Sequence, residues 1–361
     1  MRLFSGLTII LLALGFAPGA SAQSRATART GEGIYALLRR QGIPPNAASV
    51  AEFRKLNAAL LGEDDRLFKG RRYRLPSVQG AEVRSSRTRG IFPAMHVVAV
   101  ASGRADDASP LRTINVPLFG EEHRQVAVRE STLEGRVYYI VSGHGGPDPG
   151  TVGRYRGHRI AEDEIAYDTA LRLARELMSM GATVHVIVQD PDDGIRDDEV
   201  LRVDHDEEYL GERTISNSHS KRLDDQATIV NELYDLHEGT ARSQRLVSIH
   251  VDSRGVKNEP QLDVHFLYAT DSGQSFGKVL RATISDKYKV HQPGRGYRGE
   301  IAQRENLVIL KDTKPVAVLV ELGNIGNRGD QQRLVRPDNR QALAEWIAEG
   351  LLKEAGVRKN V

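Results

Sequence analysis

The chain has 361 residues, 40% of them apolar and 27% charged, with a formal net charge of +2. That is long enough for two domains, and the weak charge argues against a nucleic-acid binder, which concentrates basic residues in a stripe. There is no cysteine, which excludes disulfides and leaves His, Asp and Glu as the ligands for any metal.

In chain order, residues 1–22 read as a secretory signal peptide. Arg2 precedes the apolar run Leu7–Ala17, and the small residues of Ala20–Ala22 follow it. The run is too short to span a bilayer and no later run replaces it, so a chain starting at Gln23 is expected to be exported without a membrane-spanning segment. Residues 30–76 read as a small unit. Ile34, Leu37 and Leu38 have helical spacing up to Gly42, Phe53 and Leu56 share a second helical face, and "KGRRYRLP" leads into a strand stopped by Pro76. With "GEG" and "FRKLN", these features resemble a LysM module, a small β-α-α-β peptidoglycan-binding unit; a helical hairpin with no ligand is the alternative. Residues 77–90 are polar and Arg-rich, as in a linker, and residues 91–134 hold alternating segments that suggest β-structure of no assigned place.

From Val137 onward strands alternate with helices, which predicts an α/β domain over 135–356, with a twisted, mostly parallel sheet flanked by helices. Strands are expected at Val137–Val141, Thr183–Gln189, Arg245–Val251, Asp263–Tyr268, Leu307–Leu310 and Val316–Glu321. Helices are expected at Glu162–Met180, Gln226–Leu236, Ser275–Tyr288 and Asn339–Leu352, the first of them stopped by Gly181.

Three polar residues fall at strand ends: His144, His250 and Glu321. The carboxyl ends of strands in an open α/β sheet line one edge, where ligands bind, so these residues can converge. His250 alone could equally be a strand cap. Glu162 opens the helix after the "GHGG" loop and is the third ligand candidate. Asp163 and Glu164 compete for that role, and an acidic helix start is also ordinary dipole compensation. A His-Glu-His set completed by water is a catalytic zinc arrangement, and zinc lowers the pKa of that water to about 7. Glu321 would then serve as general base and acid, since a carboxylate within the apolar run "VAVLVELG" is costly unless paired or beside a metal. Asp148 is expected to cap the turn or orient His144.

The motifs "GHGGPDPG", "EDEIAYDTALRLARELMSMGATVHVI", "LVSIHVDS" and "AVLVELGNIGN" occur in this order between Arg136 and the C-terminus. Together they resemble the zinc-dependent N-acetylmuramoyl-L-alanine amidases of the bacterial cell wall. The resemblance implies Zn2+ bound by His144, Glu162 and His250, with Glu321 catalytic. It also implies peptidoglycan as partner, cut between the lactyl group of N-acetylmuramic acid and the L-alanine of the stem peptide, in the periplasm or cell wall; it leaves a protein activator open. Asn324 stands where the family often has an aromatic residue, and Gln226 where it often has arginine. Another zinc peptidoglycan peptidase, or a wall-binding protein without catalysis, are the alternatives. The remaining histidines, among them His185, His205 and His265, have no motif support. The acidic run from Gln189 to Glu208 fails the EF-hand register, because Gln189, Pro191 and Asp193 occupy the positions before Gly194. It reads as a solvated loop with room to act as a lid.

Overall fold

A computed structural model describes residues 24–29, 34–41, 43, 47–62, 67–76, 110–253 and 261–357. The expected signal peptide, the linker, Gly42 and residues 91–109 lie outside them. Contacts divide the chain into two units, one within residues 1–83 and one within 84–361.

In the first unit, strand β1 (Arg25–Thr27) precedes the span read from the sequence, and is followed by helices α1 (Ile34–Arg40) and α2 (Ala47–Asn57) and strand β2 (Arg72–Arg74). β1 and β2 pair antiparallel, with Ala26 opposite Tyr73. Leu37, Leu38, Phe53 and Tyr73 are fully buried between the helices and the two strands. Asn57, also buried, donates to Phe53 O and Arg74 O and accepts from Arg74 N, each at 2.8 Å. One side chain thus satisfies the end of α2 and the exposed edge of β2 together.

The larger unit opens with a hairpin, β3 (Arg112–Asn115) and β4 (Gln125–Val128), which supplies the β-structure expected somewhere in 91–134. Strand β5 (Arg136–Ser142) follows, then the ribbon β6 (Val152–Tyr155) and β7 (His158–Ala161), helix α3 (Glu162–Ser179) and strand β8 (Thr183–Val186). The chain next leaves the main sheet for a small ladder of β9 (Val188–Gln189), β10 (Glu208–Tyr209) and β11 (Arg213–Thr214). The strand expected over Thr183–Gln189 is therefore broken at Ile187, where pairing passes from β5 to β10. Helix α4 (His219–His237), strands β12 (Ser243–Asp252) and β13 (His265–Tyr268), helix α5 (Asp271–His291), strand β14 (Ile301–Gln303) and helix α6 (Val308–Lys311) come next. Strand β15 (Val316–Asn324) and helices α7 (Arg328–Leu334) and α8 (Pro337–Glu354) complete the unit.

Six strands form the central sheet in the order β14-β13-β15-β12-β5-β8. β15, β12, β5 and β8 run parallel, while β13 is antiparallel to β15. Both faces are covered, which is why β5 and β15 are near-continuous apolar runs. Alternation sorts their side chains. Tyr138, Ile140, Val247, Ile249, Val318 and Val320 face the layer of α3, α5 and α8. Val137, Tyr139, Leu246, Ala317 and Leu319 face the layer of α4 and α6.

One expected strand is corrected. Leu307–Leu310 is not a strand: α6 occupies it, and the edge strand is β14. Four consecutive apolar residues carry no period that separates a strand from a buried helical turn, and here Ile309 and Leu310 pack into the α4 layer. Gly181 ends α3 as expected, at φ 86°.

Helix α3 is buried almost all round over its first thirteen residues, charged ones included. Asp168 Oδ2 accepts from Arg172 Nε (2.8 Å) and Arg340 Nε (2.6 Å), and its Oδ1 accepts from Arg196 N (2.8 Å). Arg340 is fully buried and also donates to the carbonyls of Leu334, Val335, Arg196 and Asp198. A buried pair this well satisfied is expensive to break, on the order of 3–5 kcal/mol when one partner is removed. It fixes α3 to α8 and to the acidic segment, so the start of α3 has little freedom.

Candidate functional site

β5, β12 and β15 end on the same sheet edge. Residue pairing sets His250 beside Glu321, and alternation gives both the same side of the sheet as Leu246 and Leu319. A register shift between His250 and Asp252 marks a bulge at this point, a common way to re-aim a side chain beside an active site. His144 lies two residues beyond β5. It adopts φ 69°, a left-handed conformation that costs a non-glycine residue about 1–2 kcal/mol.

Helix α3 starts at the same edge. Glu162 Oε1 lies 3.3 Å from His144 Nε2 and 3.0 Å from His250 Nδ1. The carboxylate is itself held by backbone, Oε2 accepting from Thr151 N (3.0 Å) and Oε1 from Val251 N (3.2 Å). The other imidazole nitrogen of His144 faces Asp148 Oδ2 at 3.1 Å. Asp148 in turn accepts from Arg222 Nη2 (2.6 Å) and Gly150 N (3.2 Å). The two imidazole rings meet edge to face, 5.4 Å between centroids.

Two glycines are dictated by this packing. A Cβ on Gly143 would lie 2.3 Å from the His250 ring, and one on Gly150 would lie 2.7 Å from both Glu162 Oε2 and the His144 ring. The glycine-rich loop is therefore a consequence of backbone passing against the three side chains.

Electrostatics follow from the contacts. Burial opposes charge on His144, but its bonds to Asp148 and Glu162 outweigh that and raise its pKa to about 10. Burial likewise works against the Glu162 carboxylate, and the two histidines override it, holding it well below the usual carboxylate range. His144 chiefly holds Asp148 ionised. The donor set is two imidazole nitrogens and a carboxylate oxygen, all within 4.8 Å of one another. Nitrogen with carboxylate suits a divalent first-row metal, and the Asp148 contact is the kind that orients a ligating imidazole.

The sequence-derived residues thus come together: His144, Glu162 and His250 in one cluster, Asp148 behind the first, and Glu321 on the strand beside His250. Asp163 and Glu164 point away from the histidines, to an acidic group with Glu207. Sequence reading missed four participants. Arg222 on α4 had no motif around it. His265 was left without a role, yet it pairs across the strands with Glu321, is buried, and has Nε2 3.3 Å from Asp252 Oδ2; its position in an alternating strand was the available signal. Glu207 Oε2 accepts from Gly146 N at 2.6 Å and His205 Nδ1 lies 3.0 Å from Gly146 O. The acidic run is accordingly not the solvated loop expected. Asp190 and Glu207 are 2% and 8% exposed, because the run is drawn in by Arg172, Arg196 and Arg340 and packed against the histidine loop.

A family model described as N-acetylmuramoyl-L-alanine amidase matches residues 139–353. The chain belongs to this family. A probable cell wall amidase, LytH, of Staphylococcus aureus is 26% identical over 222 residues, which are 62% of this chain and 59% of that protein. The match thus spans about three fifths of the relative. Among solved structures, an N-acetylmuramoyl-L-alanine amidase from Clostridium difficile 630 is 22% identical, with a TM-score of 0.44, over 62% of this chain and 97% of its own. The catalytic domain of CwlV, from Bacillus (Paenibacillus) polymyxa var. colistinus, is 23% identical, also at 0.44, over 62% of this chain and 99% of its own. The amidase match takes in His144, Glu162, His250 and Glu321, and among the described residues no helix is long and apolar enough to cross a membrane.

Proposed function

We propose that this protein is an exported, zinc-dependent amidase of the cell wall. It cleaves the amide between the lactyl group of N-acetylmuramic acid and the L-alanine of the peptidoglycan stem peptide. The observation that carries the reading is the convergence of His144 Nε2 and His250 Nδ1 on one oxygen of Glu162, at 3.3 and 3.0 Å. Membership of the amidase family supports the same reaction.

His144, Glu162 and His250 would hold the zinc. A zinc ion bound by such a set supplies Lewis acidity and brings the pKa of a water to about 7. The protein's own part is positioning and proton transfer. Asp148, anchored by Arg222, fixes the tautomer and orientation of His144. The amides of Thr151 and Val251 fix the Glu162 carboxylate. Glu321, in register with His250, takes the proton of the attacking water and gives it to the nitrogen of L-alanine as the amide breaks. The N-terminal unit, with its β-α-α-β order, serves as a LysM-like binder of peptidoglycan.

Digestion of purified peptidoglycan followed by mass spectrometry tests the reaction: intact stem peptides with a free L-alanine amine are expected. Shortened peptides still attached to muramic acid would instead establish a peptidase. Metal analysis should find one zinc per chain, lost in His250→Ala; wild-type protein unable to retain zinc would end the metal assignment.

A further inference from the structure

The segment between β9 and β10 holds more carboxylates than its neighbouring cations neutralise. Gln189 pairs with Glu208, so Asp190 and Glu207 are the next residues beyond the ladder on its two arms, and both are buried. Like charges placed opposite one another destabilise a strand pair. Oxygens of Asp190, Asp192 and Asp206 lie within 4.8 Å of one another, as do oxygens of Asp190, Asp204 and Glu207. Against these acids, Arg196 is engaged by Glu164 (2.9 Å) and Asp193, and the exposed Arg202 favours the charged forms of Asp193 and Asp204. Burial first, and then the surrounding acids, push the Asp206 and Glu207 carboxyls well above the ordinary range.

A separate observation comes from α3. Asp163 is 2% exposed. Its Oδ1 accepts from Glu164 N at 2.8 Å, while Oδ2 is sealed from solvent with no hydrogen-bond partner among the described residues. This carboxyl lies with those of Glu164 and Glu207, within 4.8 Å, and so points into the same acidic group. A buried carboxylate oxygen without a donor is costly unless a cation meets it.

The donors here are all oxygen. The imidazole within the segment, His205, turns Nδ1 to Gly146 O. All-oxygen sets select hard cations, and Mg2+ is usually held by only one or two carboxylates. We propose that Asp190, Asp192, Asp204, Asp206 and Glu207 bind a calcium ion, at a site separate from the histidine centre. The ion offsets the repulsion that otherwise opens this segment. Because Glu207 also holds Gly146 N, it stiffens the loop that carries His144 from behind. The EF-hand register is absent because the ligands come from both arms of a ladder and not from one consecutive loop.

The test is titration of the full chain with calcium chloride after treatment with EGTA, followed by calorimetry and by thermal denaturation. One calcium per chain is expected, with a Kd between about 10⁻⁶ and 10⁻³ M, and a raised Tm. The double variant Asp204→Asn, Asp206→Asn should bind at least about tenfold more weakly, since affinity follows the number of charged ligands. His250→Ala should bind calcium as the wild type does, which separates this result from any failure of the zinc assignment. Absence of saturable binding to the wild type up to about 10 mM overturns the proposal, whether or not the double variant folds. An equal response to magnesium overturns the assignment to calcium.

Discussion

Within its first three residues, helix α3 faces two different settings. Glu162 meets two imidazoles and two backbone amides, while Asp163 and Glu164 meet other carboxylates, with Arg196 on Glu164. Position in the helix does not distinguish these residues, and neither does their charge. Neighbours do. The histidines hold Glu162 ionised against its burial, whereas burial raises Asp163 to about 7. Three consecutive acids in a helix start can therefore read as one dipole-compensating cluster and still face two different settings, imidazole-rich on one flank and carboxylate-rich on the other.

Variants that act on one flank sharpen this comparison. Glu321→Gln has the largest expected effect: turnover of peptidoglycan should fall by about 10²–10⁴-fold while zinc and calcium stoichiometry stay at wild-type levels. Retained turnover would remove Glu321 from the reaction. Gly143→Ala pushes a methyl into the His250 ring; zinc affinity and activity should drop together by about 10²-fold, the cost expected of ligands displaced by an ångström. Asp148→Asn loosens His144 without touching the acidic flank, so zinc affinity should weaken about 10–100-fold, measured by competition with a chelator, with calcium binding unchanged.

The smallest effect sets a baseline away from both flanks. His185 Nε2 lies 2.8 Å from His237 Nε2, and burial, then the nearby His237 charge, lowers the pKa of His185 to about 4. Its unfolded value is about 6.5. The unfolded chain therefore binds the proton first, and the stability this group contributes above pH 6.5 is lost as pH falls toward 4. His185→Gln should flatten that part of the Tm-against-pH curve by on the order of 1 kcal/mol, or about 2–4 °C. An unchanged slope would show that other groups govern the acid limb.

Much of this was legible because strands have a strict period and parallel sheets a single ligand-binding edge. "LVSIHVDS" and "AVLVELGN" each put one polar residue near the end of an apolar run, and those residues arrived side by side. The misreadings have two physical causes. At Leu307–Leu310 the apolar run was too short to show a period. The acidic run looked solvated because the groups that hold it are remote: Arg172 of α3 pairs with Asp197, and Arg340 of α8 donates to Asp198 O. Arg222 was invisible for the same reason, being 74 residues from the Asp148 it anchors. Composition records charge, while only the fold records which charges face one another.

β15 is the last strand in the chain yet sits inside the sheet, between β12 and β13. Until Val316–Asn324 has been made, β12 and β13 have no common neighbour, and the position proposed to move the proton does not exist. Pairings this distant in sequence form slowly, because a long loop must close before any contact rewards it. A chain truncated before β15 would accordingly leave the proposed metal ligands on an open sheet, without Glu321 beside His250. The strand made last is thus the one that completes the proposed site.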